Sequence, residues 1–236
     1  GFGAAAAHYF PTTLLLRRHV SRIWLPDMPA HGLSDVPRSI DPLTIEAGLF
    51  EALDQVVTEP AVIIGNSMGG LAAIQYALSS AERVRALVLV SPAGGSSTIE
   101  ELNGLRRTFE LASHRSSLAF VDRTFSRDSF VGRIAGLRHV YAMGVRRKLR
   151  REHMRQLLTA LRPSMLLPEE LEALRMPTLL IWGRQDRILP RSHLAFFKTN
   201  LPKHAQIEEP EAFGHVPFID HPVMLVTMLL RFLRAL

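Results

Sequence analysis

The chain of 236 residues contains no cysteine, which excludes disulfide bonds and thiol chemistry and favours a cytoplasmic location. Long apolar runs are also missing. The stretch 223–230 is interrupted by Thr227 and is too short to span a bilayer, so no transmembrane segment is expected. The first residues, Gly1-Phe2-Gly3-Ala4, lack the basic residues that open a signal peptide, and none is expected here. Repeats and low-complexity tracts are absent.

The residues that are present describe a chain able to bury a full core. Hydrophobic residues make up 47% of the sequence, which predicts one folded domain with an inserted lobe. The net charge of +6 is uneven: residues 106–162 hold fourteen Arg or Lys against four acidic residues. This basic segment is typical of a solvated helix face, with an anionic substrate or a peripheral membrane contact as the alternatives. No nucleic-acid partner is expected.

The most informative stretch is Gly65-Asn66-Ser67-Met68-Gly69, which follows the apolar run 61–64 and precedes a helical pattern from residue 71. A serine between a strand and a helix lies on a tight turn, where neighbouring positions tolerate only small side chains. Gly65 and Gly69 meet that demand. The turn exposes the hydroxyl of Ser67 beside the amides that begin the helix, which predicts a nucleophile with the Met68 N–H as an oxyanion donor. The alternative is a glycine-rich turn with a solvated serine.

Strands and helices alternate along most of the chain, which predicts an α/β fold with a mostly parallel sheet covered by helices on both faces. The pattern places strands at 23–25, 61–64, 84–90, 178–182 and 205–208. Between them, residues 96–174 are arginine-rich and helical without a strand pattern. We therefore predict a core of residues 1–95 and 175–236, with residues 96–174 forming a helical lid hinged at residues 94–97.

Two further polar residues follow predicted strands. Asp186 comes after the strand 178–182, and His215 lies in the loop after the last strand. Functional side chains gather where parallel strands end, so Ser67, Asp186 and His215 are predicted to meet. Histidine can accept the serine proton, and a carboxylate can orient the imidazole. Asp220 and Glu211, which are nearer to His215 in sequence, remain alternatives to Asp186.

These landmarks together resemble the α/β-hydrolase family. The resemblance covers nearly the whole chain and is least diagnostic in the lid. It is carried by Gly65-Asn66-Ser67-Met68-Gly69-Gly70, Asp27-Met28-Pro29-Ala30-His31-Gly32-Leu33-Ser34, Trp182-Gly183-Arg184-Gln185-Asp186 and Gly214-His215. It implies a serine hydrolase with the chain order Ser, Asp, His, no cofactor or metal, and a small-molecule ester as substrate. His31 resembles a loop residue of the family that shapes a turn without reacting.

The resemblance also concerns the beginning of the chain. Gly1-Phe2-Gly3 is similar to the end of an oxyanion motif, which implies the N–H of Phe2 as the second oxyanion donor. In the family, the strand that leads into this motif lies between the strands equivalent to 23–25 and 61–64. Without it, a gap of about 9 to 10 Å would open inside the sheet. We therefore predict that the N-terminal strands of the fold are missing from this sequence.

Three functions are compatible with these residues. The first is the hydrolysis of carboxylic esters through an acyl-enzyme. The second is cleavage of a carbon–carbon bond in ring-cleavage products, disfavoured because Val216 follows His215 where those relatives commonly have tryptophan. The third is a hydrolase-like binding module. The lid offers candidate acyl-pocket residues, which include Phe109, Leu111, Leu118, Phe120, Phe125, Phe130, Tyr141 and Met143, and three candidate arginines for a substrate carboxylate, Arg123, Arg127 and Arg138.

Overall fold

The computed structural model describes residues 1–236 and contains one parallel sheet of four strands. The strands lie side by side in chain order, and every neighbouring pair is parallel. They are Ala61–Ser67 (β1), Val84–Pro92 (β2), Thr178–Ile181 (β3) and Gln206–Glu208 (β4). The predicted parallel sheet is thus confirmed, and its strand ends lie along one edge.

Helices account for most of the remaining chain. None of them combines the length and the apolar character needed to cross a membrane. Asp41 begins α2 by accepting a hydrogen bond from the Thr44 N–H at 2.9 Å, as an N-cap should. The α-helices are Phe10–Leu16 (α1), Pro42–Val56 (α2), Met68–Ser79 (α3), Ile99–Glu110 (α4), His114–Thr124 (α5), Phe130–Arg133 (α6), Ala135–Leu149 (α7), Glu152–Thr159 (α8), Pro168–Glu172 (α9), Arg191–Asn200 (α10), Pro217–Asp220 (α11) and Pro222–Arg234 (α12); Ala6–Tyr9 and Ala81–Arg83 form 3-10 turns.

The central strand β2 shows why its sequence is almost continuously apolar. Leu87 and Leu89 pack into the core on one face of the sheet, with α3 and α10. Val88 and Val90 pack into the core on the other face, with α12. All four side chains are almost fully buried. A strand covered on both faces needs apolar side chains at consecutive positions, because successive side chains point to opposite faces. The apolar sequence of β2 therefore fits its central place in the fold.

The segment predicted as a lid contains six helices, α4 to α9, and no strand. Thr98 and Ser113 start α4 and α5 as N-caps. Ser97, at the predicted hinge, binds the carbonyl of Pro163 through both its N–H and its hydroxyl, at 2.9 and 3.0 Å. The two ends of the segment therefore meet. Its treatment as a separate lid stays a prediction.

The predicted buried strand at 23–25 is wrong. These residues have no regular secondary structure, and Trp24 and Leu25 are 52% and 40% exposed. A strand needs a hydrogen-bonded neighbour, and this segment has none. A cavity of about 710 Å³ lies between residues 23–25 and the outer edge of β1, which pairs only with β2. β1 is therefore an edge strand of the sheet, and the absence of N-terminal strands from this sequence stays a prediction.

Candidate active site

Ser67 ends β1 in a strained backbone conformation, with φ of 54° and ψ of −124°. A non-glycine residue adopts such angles only where the surrounding structure requires them. The glycines on either side explain how the turn closes. A Cβ atom at position 65 would lie 2.7 Å from the Cα of Gly70, and one at position 70 would lie 2.7 Å from the Cβ of Pro92. Only hydrogen fits in both places, so the sharp turn requires Gly65 and Gly70. The prediction for Gly69 is wrong, because a Cβ atom there would meet only the Gly1 nitrogen at 3.6 Å.

His215 and Asp186 are buried together beside this turn. Nδ1 of His215 lies 2.7 Å from Oδ2 of Asp186, and the other carboxylate oxygen accepts the N–H of Ile188 at 2.8 Å. Burial alone would raise the pKa of Asp186, but the imidazole of His215 and the Ile188 N–H outweigh burial and keep the pKa below its usual value. An ionised carboxylate can only accept hydrogen bonds. Nδ1 therefore carries the proton, and Nε2 is left as a base.

Asn66 connects the serine turn to the histidine loop. Its side-chain amide donates to the carbonyl of His215 and to that of Val90, both at 3.0 Å. Ser67 Oγ and His215 Nε2 have no hydrogen-bond partner within the chain, so both are free for a substrate or for each other. Catalytic hydrogen bonds are often long before substrate binds. No role beyond the turn itself was expected for Asn66 from the sequence.

The competing carboxylates are engaged elsewhere. Asp220 accepts hydrogen bonds from the Ser126 N–H and the Ser129 hydroxyl, and Glu211 pairs with Arg184 at the surface. Neither bonds the imidazole of His215. Of the three carboxylates considered from the sequence, Asp186 is the one in contact with it.

The first residues of the chain lie against the serine turn. A Cβ atom at Gly1 would be 3.0 Å from Oδ1 of Asn66 and 3.3 Å from Cβ of Ser67. The Phe2 N–H has no hydrogen-bond partner. Met68 is the first residue of α3, where the helix leaves amides without intrahelical partners. Both predicted oxyanion donors therefore lie near the hydroxyl with unused N–H groups.

His31 is held between the backbone and an aromatic ring. It is buried, its Nδ1 lies 3.0 Å from the carbonyl of Pro29, and its ring packs edge-on against Phe2 with centroids 6.1 Å apart. Burial lowers the pKa of His31 to about 4. This neutral ring supports the Phe2 segment.

A cavity of about 90 Å³ opens beside Ser67, Met68 and Phe2. Of the eight candidate pocket residues in the lid, Phe109 alone lines it. Among the others, Leu111 and Phe125 are buried in the core, while Phe130 and Met143 are exposed. The lid residues that line the cavity are Leu102, Leu105, Phe109, Leu157, Leu158, Leu161, Arg162 and Met165. The sequence could not select them, because helical spacing does not show which neighbour a helix faces.

The three arginines proposed for a substrate carboxylate do not line this cavity. Arg138 is engaged with Asp122 through two hydrogen bonds, at 2.6 and 2.7 Å, and Arg123 donates to the hydroxyl of Thr108. The arginine that does line it is Arg162, which is exposed. No group of three or more His, Asp or Glu side chains is arranged to hold a metal ion.

Comparison with known proteins places this geometry in context. The profile of the Alpha/beta hydrolase family matches residues 1–227. An uncharacterized protein of Mycobacterium tuberculosis is 28% identical in an alignment covering 88% of this chain, and the chain spans 66% of that relative's length. A pimeloyl-[acyl-carrier protein] methyl ester esterase of Yersinia enterocolitica is 30% identical, with 85% of this chain and 78% of the esterase covered.

A further hydrolase relative and a solved structure complete the comparison. The 2-hydroxy-6-oxononadienedioate/2-hydroxy-6-oxononatrienedioate hydrolase of Comamonas testosteroni is 28% identical over 85% of this chain and 72% of its own length. The structure of an esterase from Exiguobacterium antarcticum superposes with a TM-score of 0.83 at 20% identity, covering 99% of this chain and 89% of the esterase.

Proposed function

The chain belongs to the Alpha/beta hydrolase family, and from this premise we propose that it is a serine hydrolase that cleaves carboxylic esters, with Ser67 as nucleophile, His215 as general base and Asp186 as the residue that orients His215. The single observation that carries the proposal is the buried 2.7 Å contact between Asp186 and His215 Nδ1. It lies next to a serine whose backbone is strained as a nucleophile requires.

The mechanism follows from the protonation states. Ser67 Oγ attacks the ester carbonyl carbon while Nε2 of His215 takes the hydroxyl proton, and the negative charge that forms on the carbonyl oxygen is stabilised by the N–H groups of Met68 and Phe2. The imidazolium returns the proton to the leaving alcohol, which leaves an acyl-enzyme on Ser67. Water then attacks the acyl carbon with His215 again as base. Asp186 stabilises the imidazolium at each step.

Carbon–carbon bond cleavage is the second candidate. The similarity to the Comamonas testosteroni hydrolase and the sequence Gly65-Asn66-Ser67-Met68-Gly69-Gly70 favour this reaction. Val216 speaks against it, because it follows His215 where hydrolases of ring-cleavage products commonly have tryptophan. A binding module without turnover is the third candidate. The Ser67, Asp186 and His215 side chains are all present, which supports an enzyme over a binding module.

Covalent labelling with a fluorophosphonate probe tests the proposal, because the probe reacts with activated serines. We expect the protein to be labelled, with Ser67→Ala and His215→Ala both unlabelled. Arg17→Ala, an exposed residue at the end of α1 that does not line the cavity beside Ser67, is the control and should label normally. Absence of labelling in the folded, unmodified protein would favour the binding module.

Substrate choice needs a second experiment. A panel of p-nitrophenyl esters of graded acyl length, assayed beside a vinylogous diketone acid, separates the two enzyme candidates. We expect hydrolysis of the esters. Turnover of the diketone acid alone would favour carbon–carbon cleavage.

We also propose peripheral contact between the lid and an anionic membrane surface. The outer face of α7 exposes Val140 and Met143, at 63% and 56%, although solvent-facing helix surfaces are normally polar. Arg147, Arg150 and Arg151 follow on the exposed side and form no ion pair. Apolar side chains beside uncompensated cations suit the boundary between lipid headgroups and acyl chains.

A further inference from the structure

Six side chains have a buried polar atom without a hydrogen-bond partner, and of these His193 alone lines the cavity beside Ser67. It is the third residue of α10, is only 6% exposed, and its Nδ1 is buried without a hydrogen-bond partner. The ring cannot move away easily, because Gly95 packs directly against it. A Cβ atom at position 95 would lie 2.9 Å from both Cβ and Cγ of His193. A buried polar atom without a partner destabilises the folded protein, so its presence requires an explanation.

His193 lines the cavity of about 90 Å³ beside the nucleophile, together with Ser67, Met68 and Phe2. The rest of the wall is mainly apolar and includes Leu71, Leu102 and Leu189. Specific ligand sites have this composition, in which apolar walls enclose a few placed polar groups. His193 therefore contributes a hydrogen-bonding ring to the wall of this cavity, and its unpaired Nδ1, which neighbouring atoms cover, meets a substrate oxygen when those neighbours shift.

The charge state of His193 indicates which group it would recognise. Burial lowers the pKa of His193 to about 4, although the carboxylates of Glu101 and Asp186 act in the opposite direction. The imidazole is thus neutral at physiological pH. A neutral imidazole has no charge with which to compensate a carboxylate, whereas it hydrogen-bonds to a ketone or hydroxyl oxygen according to its tautomer. A hydroxyl suits either tautomer.

The size of the cavity limits the substrate further. A volume of about 90 Å³ is far below the roughly 300 to 1,000 Å³ of pockets that hold drug-sized ligands, which favours a short acyl chain. The alcohol leaves after the first step, while the acyl group stays attached to the serine and needs a pocket next to the oxyanion donors.

We propose that His193 is a specificity-determining residue that hydrogen-bonds through Nδ1 to a neutral oxygen, a ketone or a hydroxyl, on a short acyl chain bound to Ser67. This inference rests on the proposed serine hydrolase function and assigns its substrate class. It predicts a preference for oxo- or hydroxyacyl esters over plain acyl esters of the same length.

The test compares matched esters: p-nitrophenyl 4-oxopentanoate with pentanoate, and 5-oxohexanoate with hexanoate. For the protein with His193, the ratio of kcat/KM values should favour the oxo ester of one pair. His193→Leu should lower that ratio about tenfold, as expected for loss of one hydrogen bond. His193→Asn, whose side-chain amide reaches as far as Nδ1, should restore most of it. Ser192→Ala, a neighbour that does not line the cavity, should leave it unchanged.

Two readouts keep the inference separate from the proposed function. Fluorophosphonate labelling and hydrolysis of p-nitrophenyl acetate, whose acyl group carries no additional oxygen for His193 to bind, report on the catalytic residues alone. Failure of both in every variant overturns the serine hydrolase. Normal labelling with an oxo-to-alkyl ratio that is the same in His193→Leu overturns the specificity role. Equal losses for all esters, with a lowered melting temperature, would show that His193 has only a structural role and would also overturn it.

Discussion

Asp186 offers the most direct test of the proposed chemistry at a single position. In Asp186→Asn the side chain keeps its shape, but its amide can donate to Nδ1 of His215 and so stabilise the tautomer that has the proton on Nε2. That tautomer cannot accept the serine proton. We expect kcat/KM for p-nitrophenyl acetate to fall by about 10⁴-fold with little change in fold.

The control for this substitution is Glu211→Gln. Glu211 was an alternative partner of His215 from the sequence, yet it pairs with Arg184 at the surface. The substitution should leave kcat/KM within about twofold of its original value, because an exposed ion pair contributes at most ~1 kcal/mol and none of this energy is used at the site. A larger loss in Glu211→Gln than in Asp186→Asn would contradict the assignment of Asp186.

The contact between Asp186 and His215, and their place beside the Ser67 turn, could be anticipated because each residue follows a strand of a parallel sheet, and such ends share one edge. His193 could not be found this way. It lies within a helix, where its sequence neighbours Ser192 and Leu194 give no sign that it lines a cavity. Burial and the approach of Gly95 depend on packing between α10 and the hinge, which no local pattern encodes.

The helical segment 96–174 is fastened to the histidine loop through the turn between α5 and α6. Asp220 accepts the Ser126 N–H at 2.9 Å and the Ser129 hydroxyl, while the His215 N–H donates to the carbonyl of Thr124 at 2.8 Å. Asp220→Asn would turn an amide N–H toward one of these donors and leave it unpaired. We expect the free energy of unfolding to fall by about 1 to 3 kcal/mol and ester hydrolysis to weaken as His215 loses its support.

The pH dependence of this effect has a definite sign. Burial raises the pKa of Asp220 above its ordinary value of 3.8, and the hydrogen bonds from Ser129 and Ser126 only partly oppose it. The folded state therefore holds the Asp220 proton more tightly than the unfolded state. This contribution to stability is complete below pH 3.8 and disappears as pH rises through the folded-state pKa. Urea unfolding of both proteins at several pH values measures it.

Asp128→Asn is the matched control for Asp220→Asn. Its carboxylate is 70% exposed and lies 3.9 Å from Arg133, so the free energy of unfolding should change by less than about 0.5 kcal/mol. If both substitutions had the same effect on unfolding and activity, the role of Asp220 as a fastening residue would be wrong.

Whether a segment forms a helix or a strand was easier to predict than which other segment it lies beside. The sequence placed α10 at 191–200 and β4 near 205–208 because their apolar periods and flanking turn residues are local signals. The strand predicted at 23–25 was wrong because a strand also depends on a neighbour that is distant in sequence. An apolar triplet such as Ile23-Trp24-Leu25 favours a strand only if another strand lies beside it, and here the neighbouring space is the cavity at the outer edge of β1.

The distribution of charge over the entire molecule was visible in the sequence, whereas its orientation was not. Residues 106–162 hold the basic excess, but the sequence did not show that Val140 and Met143 point outward beside Arg147. Their side chains could equally have entered the core, since α7 also contains the buried residues Ala142 and Leu149. Which side of a helix faces the core depends on the neighbours that pack against it, here chiefly α5.

This surface leads to a prediction about the intact protein. Cosedimentation with vesicles should detect binding to phosphatidylcholine containing phosphatidylglycerol, but not to phosphatidylcholine alone. Each arginine near an anionic bilayer contributes about 1 kcal/mol, so replacing Arg147, Arg150 and Arg151 by glutamate should weaken binding by about 100-fold or more.

Raising the salt concentration should also weaken vesicle binding, because the charges are exposed. Replacing Arg17, Arg18 and Arg22, which lie outside the helical segment 96–174, by glutamate changes the net charge equally and should have little effect. Equal losses in the two triple variants would indicate a net-charge effect without a defined face. A change in oligomeric state on replacing Val140 and Met143 by serine, without a change in vesicle binding, would instead identify this face as a contact between copies of the chain and would contradict the membrane proposal.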